Sequence, residues 1–215
     1  REALAERAKK INMQRALPWP QDPWQGDTIW MGCIDSEGRT ASFIQSVFWE
    51  FGSGVVCPST GVMWQNRGIS FSLKEDALHR LEPGRKPFHT LNPAMARFKD
   101  GRSMVYGTMG GEGQPQTQAA VFSRYALFNQ PLQTAVTAPR WLLGRTWGEQ
   151  STTLKLESRF EQELVQQLRD AGHVLEVLPE AFSDTMGHAG AVVRHPNGMM
   201  EGAADPRSDG AVACV

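Results

Sequence analysis

Thr28-Ile29-Trp30-Met31-Gly32-Cys33-Ile34-Asp35-Ser36-Glu37-Gly38-Arg39-Thr40-Ala41-Ser42-Phe43-Ile44-Gln45-Ser46-Val47-Phe48-Trp49 holds two runs rich in β-branched and aromatic residues around a turn. The runs Thr28 to Ile34 and Thr40 to Trp49 read as strands, and Asp35-Ser36-Glu37-Gly38 is a hairpin signal. Their apolar density predicts cover on both faces. If Ser36-Glu37-Gly38 is a three-residue loop with Gly38 in the left-handed region, Asp35 pairs with Arg39 and Thr28 falls opposite Ser46. A two-residue loop would instead place Gln45 opposite Thr28. Residues directly opposite share one face, so a Ser46 hydroxyl can hydrogen-bond Thr28 and fix its rotamer.

Upstream, Leu17-Pro18-Trp19-Pro20-Gln21-Asp22-Pro23-Trp24-Gln25-Gly26 is neither helix nor inner strand, because proline removes backbone donors. It reads as an exposed linker that ends at Gly26-Asp27, immediately before the strand. A threonine hydroxyl is a weak nucleophile unless a base sits beside it, and the residue's own α-amine serves once it is free. Cleavage between Asp27 and Thr28 would free it. Read alone, Thr28 is an ordinary strand-starting residue and Ser46 a small strand residue. Hydrolysis of an amide also needs donors for an oxyanion. Ser103 to Tyr106 followed by Gly107-Thr108-Met109-Gly110-Gly111 reads as strand, glycine turn, helix, and the N–H groups of Gly110 and Gly111 suit that task; a simple tight turn is the other reading.

The rest of the chain alternates. Arg1 to Ile11 is a helix candidate, and Gly61 to Gln65 a third strand-like run, followed by a long loop that ends at Pro93. Gln116 to Phe128 has helical spacing, Pro131 fits the first turn of the next helix, and the two are expected as an antiparallel pair. Thr152 to Leu156 is strand, Phe160 to Ala171 helix stopped by Gly172, and His173 to Leu178 strand. Ala189 to Arg194 and Met199 to Ala203 flank His195-Pro196-Asn197-Gly198 as a second hairpin. Strands at both ends with helices between them predict a layered α+β sandwich in which the first and last hairpins share the core.

The 215 residues carry a formal net charge of −1, which leaves no basic field for nucleic acid or an anionic membrane. No apolar run has the length of a membrane span, and Arg1 to Arg15 lacks the apolar core of a secretory signal, so a cytoplasmic protein with a small-molecule substrate is expected. Cys33, Cys57 and Cys214 have no paired spacing and read as buried free thiols. The five histidines form no ligand-spaced pair, so no metal and no other cofactor is expected.

In combination, several motifs resemble the small subunit of the gamma-glutamyltranspeptidase family. They are Gly26-Asp27-Thr28, Phe51-Gly52-Ser53-Gly54-Val55-Val56 with Ser59-Thr60-Gly61, Gln65-Asn66, Lys86-Pro87, Gly110-Gly111 and Gly202-Ala203-Ala204-Asp205-Pro206-Arg207. The resemblance implies residues 1–27 as the tail of a large subunit and 28–215 as the small catalytic subunit. It also implies a four-layer αββα sandwich of the N-terminal-nucleophile hydrolase type, self-cleavage before Thr28, and a heterodimer with the large subunit that can itself pair. By position it implies Thr28 as nucleophile, Ser46 as its orienting hydroxyl, Gly110 and Gly111 as the oxyanion site, and Asp205-Pro206-Arg207 as a buried ion pair.

Departures from that pattern bear on the substrate. Where the family holds the donor's α-amine with an Asn, a Gln and an Asp, this chain has Phe48, Arg67 and Ser70, and a serine pair for the α-carboxylate is replaced by His89-Thr90. A cation where an ammonium needs a carboxylate disfavours a γ-glutamyl group. Arg67 with Asn66, His89 and Thr90, in a pocket narrowed by Phe48, suits a small carboxylate without an amine. A solvated loop cation is the other reading of Arg67. A branch with this pattern is similar to bacterial oxamate amidohydrolases, which implies hydrolysis of an oxamate-like amide to oxalate and ammonia. The alternatives are a γ-glutamyl hydrolase or transpeptidase acting on glutathione-like donors, and a non-catalytic or unprocessed member.

Overall fold

The computed structural model describes residues 28–146 and 151–214; the helix expected at Arg1 to Ile11, the proline linker and Asp27 lie outside the described residues. Strands β1 (Thr28–Ile34) and β2 (Thr40–Ser46) form an antiparallel hairpin with Thr28 opposite Ser46. Its loop is the three-residue kind. The Asp35 N–H meets the Arg39 carbonyl at 3.0 Å, and Gly38 takes φ 84°, which a side chain resists. In chain order there follow β3 (Ala94–Arg97), β4 (Ser103–Thr108), α1 (Gln114–Ala126), α2 (Leu132–Thr137), β5 (Trp141–Leu143), β6 (Leu154–Glu157), α3 (Gln162–Asp170), β7 (Leu175–Leu178), β8 (Ala189–Arg194) and β9 (Met200–Ala204).

Strands β3, β4, β8 and β9 make an antiparallel four-stranded sheet in the order β3-β4-β8-β9. Alternation gives it two unlike faces. On one face Met104, Ala189, Ala191, Val193 and Ala203 pack with Val121 and Tyr125 of α1 and with Leu132, Ala135 and Val136 of α2. Each fully buried branched side chain there stabilises the fold by about 1.5–3 kcal/mol. The opposite face carries Gly107 beside Gly190, and Val105 beside Val192.

That glycine pair seats Trp30. A methyl at Gly107 would lie 2.1 Å from Trp30 Cδ1, and one at Gly190 would lie 2.5 Å from Cζ3. Only two missing side chains let the indole sink between β4 and β8, where its Nε1–H donates to Ser42 Oγ at 3.0 Å. The first and last hairpins therefore do share a core, and the order of layers is hairpin, four-stranded sheet, helices.

A third sheet, β5-β6-β7, is antiparallel at β5-β6 and parallel at β6-β7, with α3 as the crossover that parallel strands require. The expected Asp205-Pro206-Arg207 ion pair ties it down. Arg207 binds Asp205 at 3.0 Å, and its Nε lies 2.6 Å from Glu157 of β6. It also donates to the carbonyls of Val136 and Ala138, while Arg140 pairs with Asp205 from the start of β5. Burial pulls the Arg140 guanidinium down to about 10 against the opposing Asp205 charge.

Several expectations are corrected. Gly61 to Gln65 forms only an isolated bridge, Val56 to Met63, because glycine and proline turns surround it. Strands β3 and β5 were not expected: they have four and three residues, too few for a periodic signal, and follow prolines. The cysteines are free but not buried: Cys33 and Cys214 are exposed and Cys57 is half-buried. Cys33 sits on the outer face of the hairpin, which nothing among the described residues covers. There Ile29 and Phe43 are 54% and 52% exposed, so the cover predicted for both faces exists on one. No helix among the described residues is long and apolar enough to cross a membrane.

Candidate active site

Strand alternation puts Thr28 on the face of β1 that Trp30 anchors, pointing toward the four-stranded sheet. Its Oγ1–H donates to Ser46 Oγ at 2.8 Å, the contact that the hairpin register predicts. Ser46 Oγ also accepts the Phe48 N–H at 2.9 Å. Two bonds hold this hydroxyl, so it presents a fixed acceptor to Thr28.

Phe48 makes the second bond from a strained backbone, with φ 81° in a bulky residue. The strain ends β2 at Ser46, short of the expected Trp49, and turns the Phe48 ring beneath the Arg67 guanidinium, 4.8 Å from the ring centroid. This sandwich favours a cation over a flat aromatic face. Arg67 opens a short 3-10 turn, Arg67–Ser70, and is only 4% exposed, which removes the reading of a solvated loop cation. Its Nη1–H donates to Thr90 Oγ1 at 2.9 Å.

Ser46, Gln65, Arg67, Lys86, Pro87, His89 and Leu91 line one cavity of about 570 Å³. None of these is acidic, so the walls present Arg67, Lys86 and an imidazole to whatever enters. Desolvation, then the Arg67 charge, pushes His89 below the ordinary histidine value, so neutral imidazole is favoured there. An anion fits such walls and an ammonium does not. Lys86, which the sequence offered only within Lys86-Pro87, joins the site because the long loop folds back. Asn66 is placed differently: its Oδ1 accepts the Trp49 N–H at 3.1 Å, so it braces the bend at Phe48 and is not among the cavity walls.

Thr28 itself lines a second cavity, of about 930 Å³, whose walls include Met109, His188 and the segment Asp205 to Ala213. Gly110 and Gly111 directly follow Met109 with φ 123° and 51°. A methyl on Gly111 would lie 3.0 Å from the Thr146 carbonyl, so backbone geometry and space both call for glycine. The two glycines adjoin the Thr28 cavity but are not among its walls. The Thr28–Ser46 pair thus stands between a cationic cavity behind Ser46 and a wider one bordered by the glycine turn. Among the described residues no cluster of three or more metal-ligating side chains occurs.

The family pattern described as Gamma-glutamyltranspeptidase matches residues 1–215. The chain belongs to the gamma-glutamyltranspeptidase family. It is 59% identical over 212 residues to an oxamate amidohydrolase proenzyme of Klebsiella pneumoniae, a match that covers 99% of this chain and 40% of the relative. A glutathione hydrolase-like YwrD proenzyme of Bacillus subtilis is 44% identical over 93% of this chain and 38% of its own length. This chain therefore spans about two-fifths of the curated relatives it matches. The structure of a cephalosporin acylase from Bacillus halodurans superimposes with a TM-score of 0.71 at 32% identity, covering 99% of this chain and 38% of that one. A gamma-glutamyltranspeptidase from Pseudomonas nitroreducens shares the fold with a TM-score of 0.69 at 24% identity, covering 86% of this chain and 98% of that one.

Proposed function

We propose that this chain carries the catalytic fragment of a self-processing amidohydrolase whose substrate is a small amide of a carboxylic acid, oxamate-like in size and charge. The observation that carries the reading is the Thr28 hydroxyl held at 2.8 Å by Ser46, which itself lines a cavity whose charged groups are all cationic. The likeness to the Klebsiella pneumoniae proenzyme supports the same substrate class.

Cleavage before Thr28 frees its α-amine. The amine takes the Oγ1 proton as Oγ1 bonds to the amide carbon, and the N–H groups of Gly110 and Gly111 receive the oxyanion; one such donor is worth roughly 2.7–4 kcal/mol of barrier. The C–N bond then breaks, the ammonium returns its proton to the departing nitrogen, and ammonia leaves. Water adds to the Thr28 ester and gives its proton to the same amine, which passes it to Oγ1 as the Oγ1–C bond breaks; the new carboxylic acid ionises and leaves as the dicarboxylate. Throughout, Arg67, oriented by Thr90 and Phe48, holds the substrate carboxylate, with His89 and Lys86 beside it.

The uncovered hairpin face belongs in this reading to the remainder of the proenzyme. A helical layer laid on Ile29, Met31 and Phe43 would complete a four-layer αββα sandwich and make the mature protein a heterodimer. The test compares ammonia release from oxamate with chromophore release from a γ-glutamyl anilide by the complete processed protein. Turnover of oxamate is expected to exceed that of the anilide. Activity on the anilide alone would overturn the reading, and an uncut Asp27-Thr28 bond in the mature protein would indicate a non-catalytic member.

A further inference from the structure

Beside Thr28 lies a hydrogen-bonded pair that the mechanism above leaves unused. His188 immediately precedes β8, on the wall of the cavity that Thr28 also lines. Its Nε2 is bonded to Asp184 Oδ1, four residues earlier, across the turn Asp184–Met186 and Gly187 at φ 73°. When Nε2–H donates its hydrogen bond to the carboxylate, Nδ1 is the acceptor of the neutral ring. The imidazole keeps 23% exposure, so it remains within reach of the cavity.

The stacking of β1 on the sheet places this ring along the strand. Trp30 sits over Gly190 and Gly107, and two residues later Gly32 sits over Val105, whose partner across β4-β8 is Val192. Strand β1 therefore runs the same way as β8, residue 30 over 190 and 32 over 192. One step back puts Thr28 over residue 188, and Thr28, Met109 and His188 do line one cavity. The other charged groups on its walls, Asp205, Arg207 and Asp209, come from the C-terminal segment; Asp205 and Arg207 are engaged in the buried ion network.

We infer that His188, fixed by Asp184, is a positioning residue that accepts an N–H of the freed Thr28 α-amine and turns the amine lone pair toward Oγ1. This rests on the amidohydrolase reading, since only a cleaved chain has that amine. No net proton moves to the imidazole: the amine still receives the Oγ1 proton and returns it to the leaving group. The precursor has a peptide nitrogen at Thr28, so self-cleavage does not use the contact.

The experiment follows precursor cleavage and turnover separately in the full proenzyme, for His188→Ala, His188→Asn and Asp184→Asn. Cleavage of His188→Ala should match the wild type, while kcat falls about 10- to 100-fold with KM little changed. His188→Asn, which retains a short acceptor, should recover part of the loss. Asp184→Asn, which weakens the hold on the ring, should lower kcat in the same sense with KM and cleavage little changed. Turnover of His188→Ala within twofold of wild type overturns the proposal, as does a parallel loss of cleavage and turnover in both His188 variants. A wild-type protein that stays uncut, or a Thr28→Ala protein that turns over, overturns the amidohydrolase reading itself.

Discussion

Replacing Gly107 by Ala should disturb Thr28 without touching it. Gly107 has ordinary strand geometry, so the added methyl costs nothing in backbone strain, and its whole effect is steric. It would lie 2.1 Å from Trp30 Cδ1 and 2.5 Å from Nε1. Carbon atoms meet comfortably at about 3.5–4.0 Å, so the indole must withdraw by more than 1 Å. Overpacking of this kind costs about 1–3 kcal/mol, and loss of the Trp30 to Ser42 hydrogen bond adds about 1 kcal/mol. A total of about 2–4 kcal/mol corresponds to a Tm lower by about 4–16 °C for a domain of this size. Differential scanning calorimetry of the processed protein measures it. Thr28 shares the face of β1 that Trp30 anchors, so self-cleavage should slow as well. The double variant Trp30→Leu/Gly107→Ala removes the clash, and the two changes should be non-additive by at least about 1 kcal/mol. A Gly107→Ala protein whose Tm falls by less than about 2 °C, or a strictly additive double variant, would refute the argument that the glycine pair seats the strand.

Ser46→Ala removes the acceptor that fixes Thr28 and frees the Phe48 N–H; cleavage and kcat, followed by mass spectrometry and ammonia release, should each fall about tenfold or more, and Ser46→Thr should retain most of both. Arg67→Met deletes a buried charged hydrogen-bond donor, and loss of about 1.5–3 kcal/mol of binding predicts an oxamate KM raised about 10- to 100-fold with kcat little changed. An unchanged KM would remove Arg67 from the substrate site. Hydrogen bonding, first from Ser59, lowers the Cys57 thiol to about 7. The thiolate is the reactive form, so iodoacetamide labelling of Cys57 should rise with pH through a midpoint near that value, and Ser59→Ala should move the midpoint toward an ordinary thiol.

Much of this site was legible in the chain because it is local. The register that sets Thr28 against Ser46 follows from one loop, since a period of two carries the count from Gly38 back along both strands. Gly110 and Gly111 stand out because a turn with positive φ has few other occupants, and Asp205-Pro206-Arg207 stands out as a charged motif beside an apolar strand. The strand, helix, strand run of β6, α3 and β7 shows in its periodicity, whereas β3 and β5 are too short to show any.

Tertiary structure decided what depends on contacts between distant segments. Gly107 and Gly190 are unremarkable until β4 and β8 pair and Trp30 descends between them. Arg67 read equally as solvated or buried, and only the folding of the long loop over Phe48 made it a buried cation joined by Thr90, His89 and Lys86. His188 and Asp184 carried no signal, because their nearness to Thr28 comes from the stacking of β1 on β8, 160 residues away in the chain. The sequence by itself determined where a nucleophile could arise and which hydroxyl would face it, through short-range backbone geometry. The charge of the cavity behind Ser46 and the residues that share a cavity with Thr28 were decided by packing, because desolvation and Coulomb interaction depend on distance in space and not along the chain.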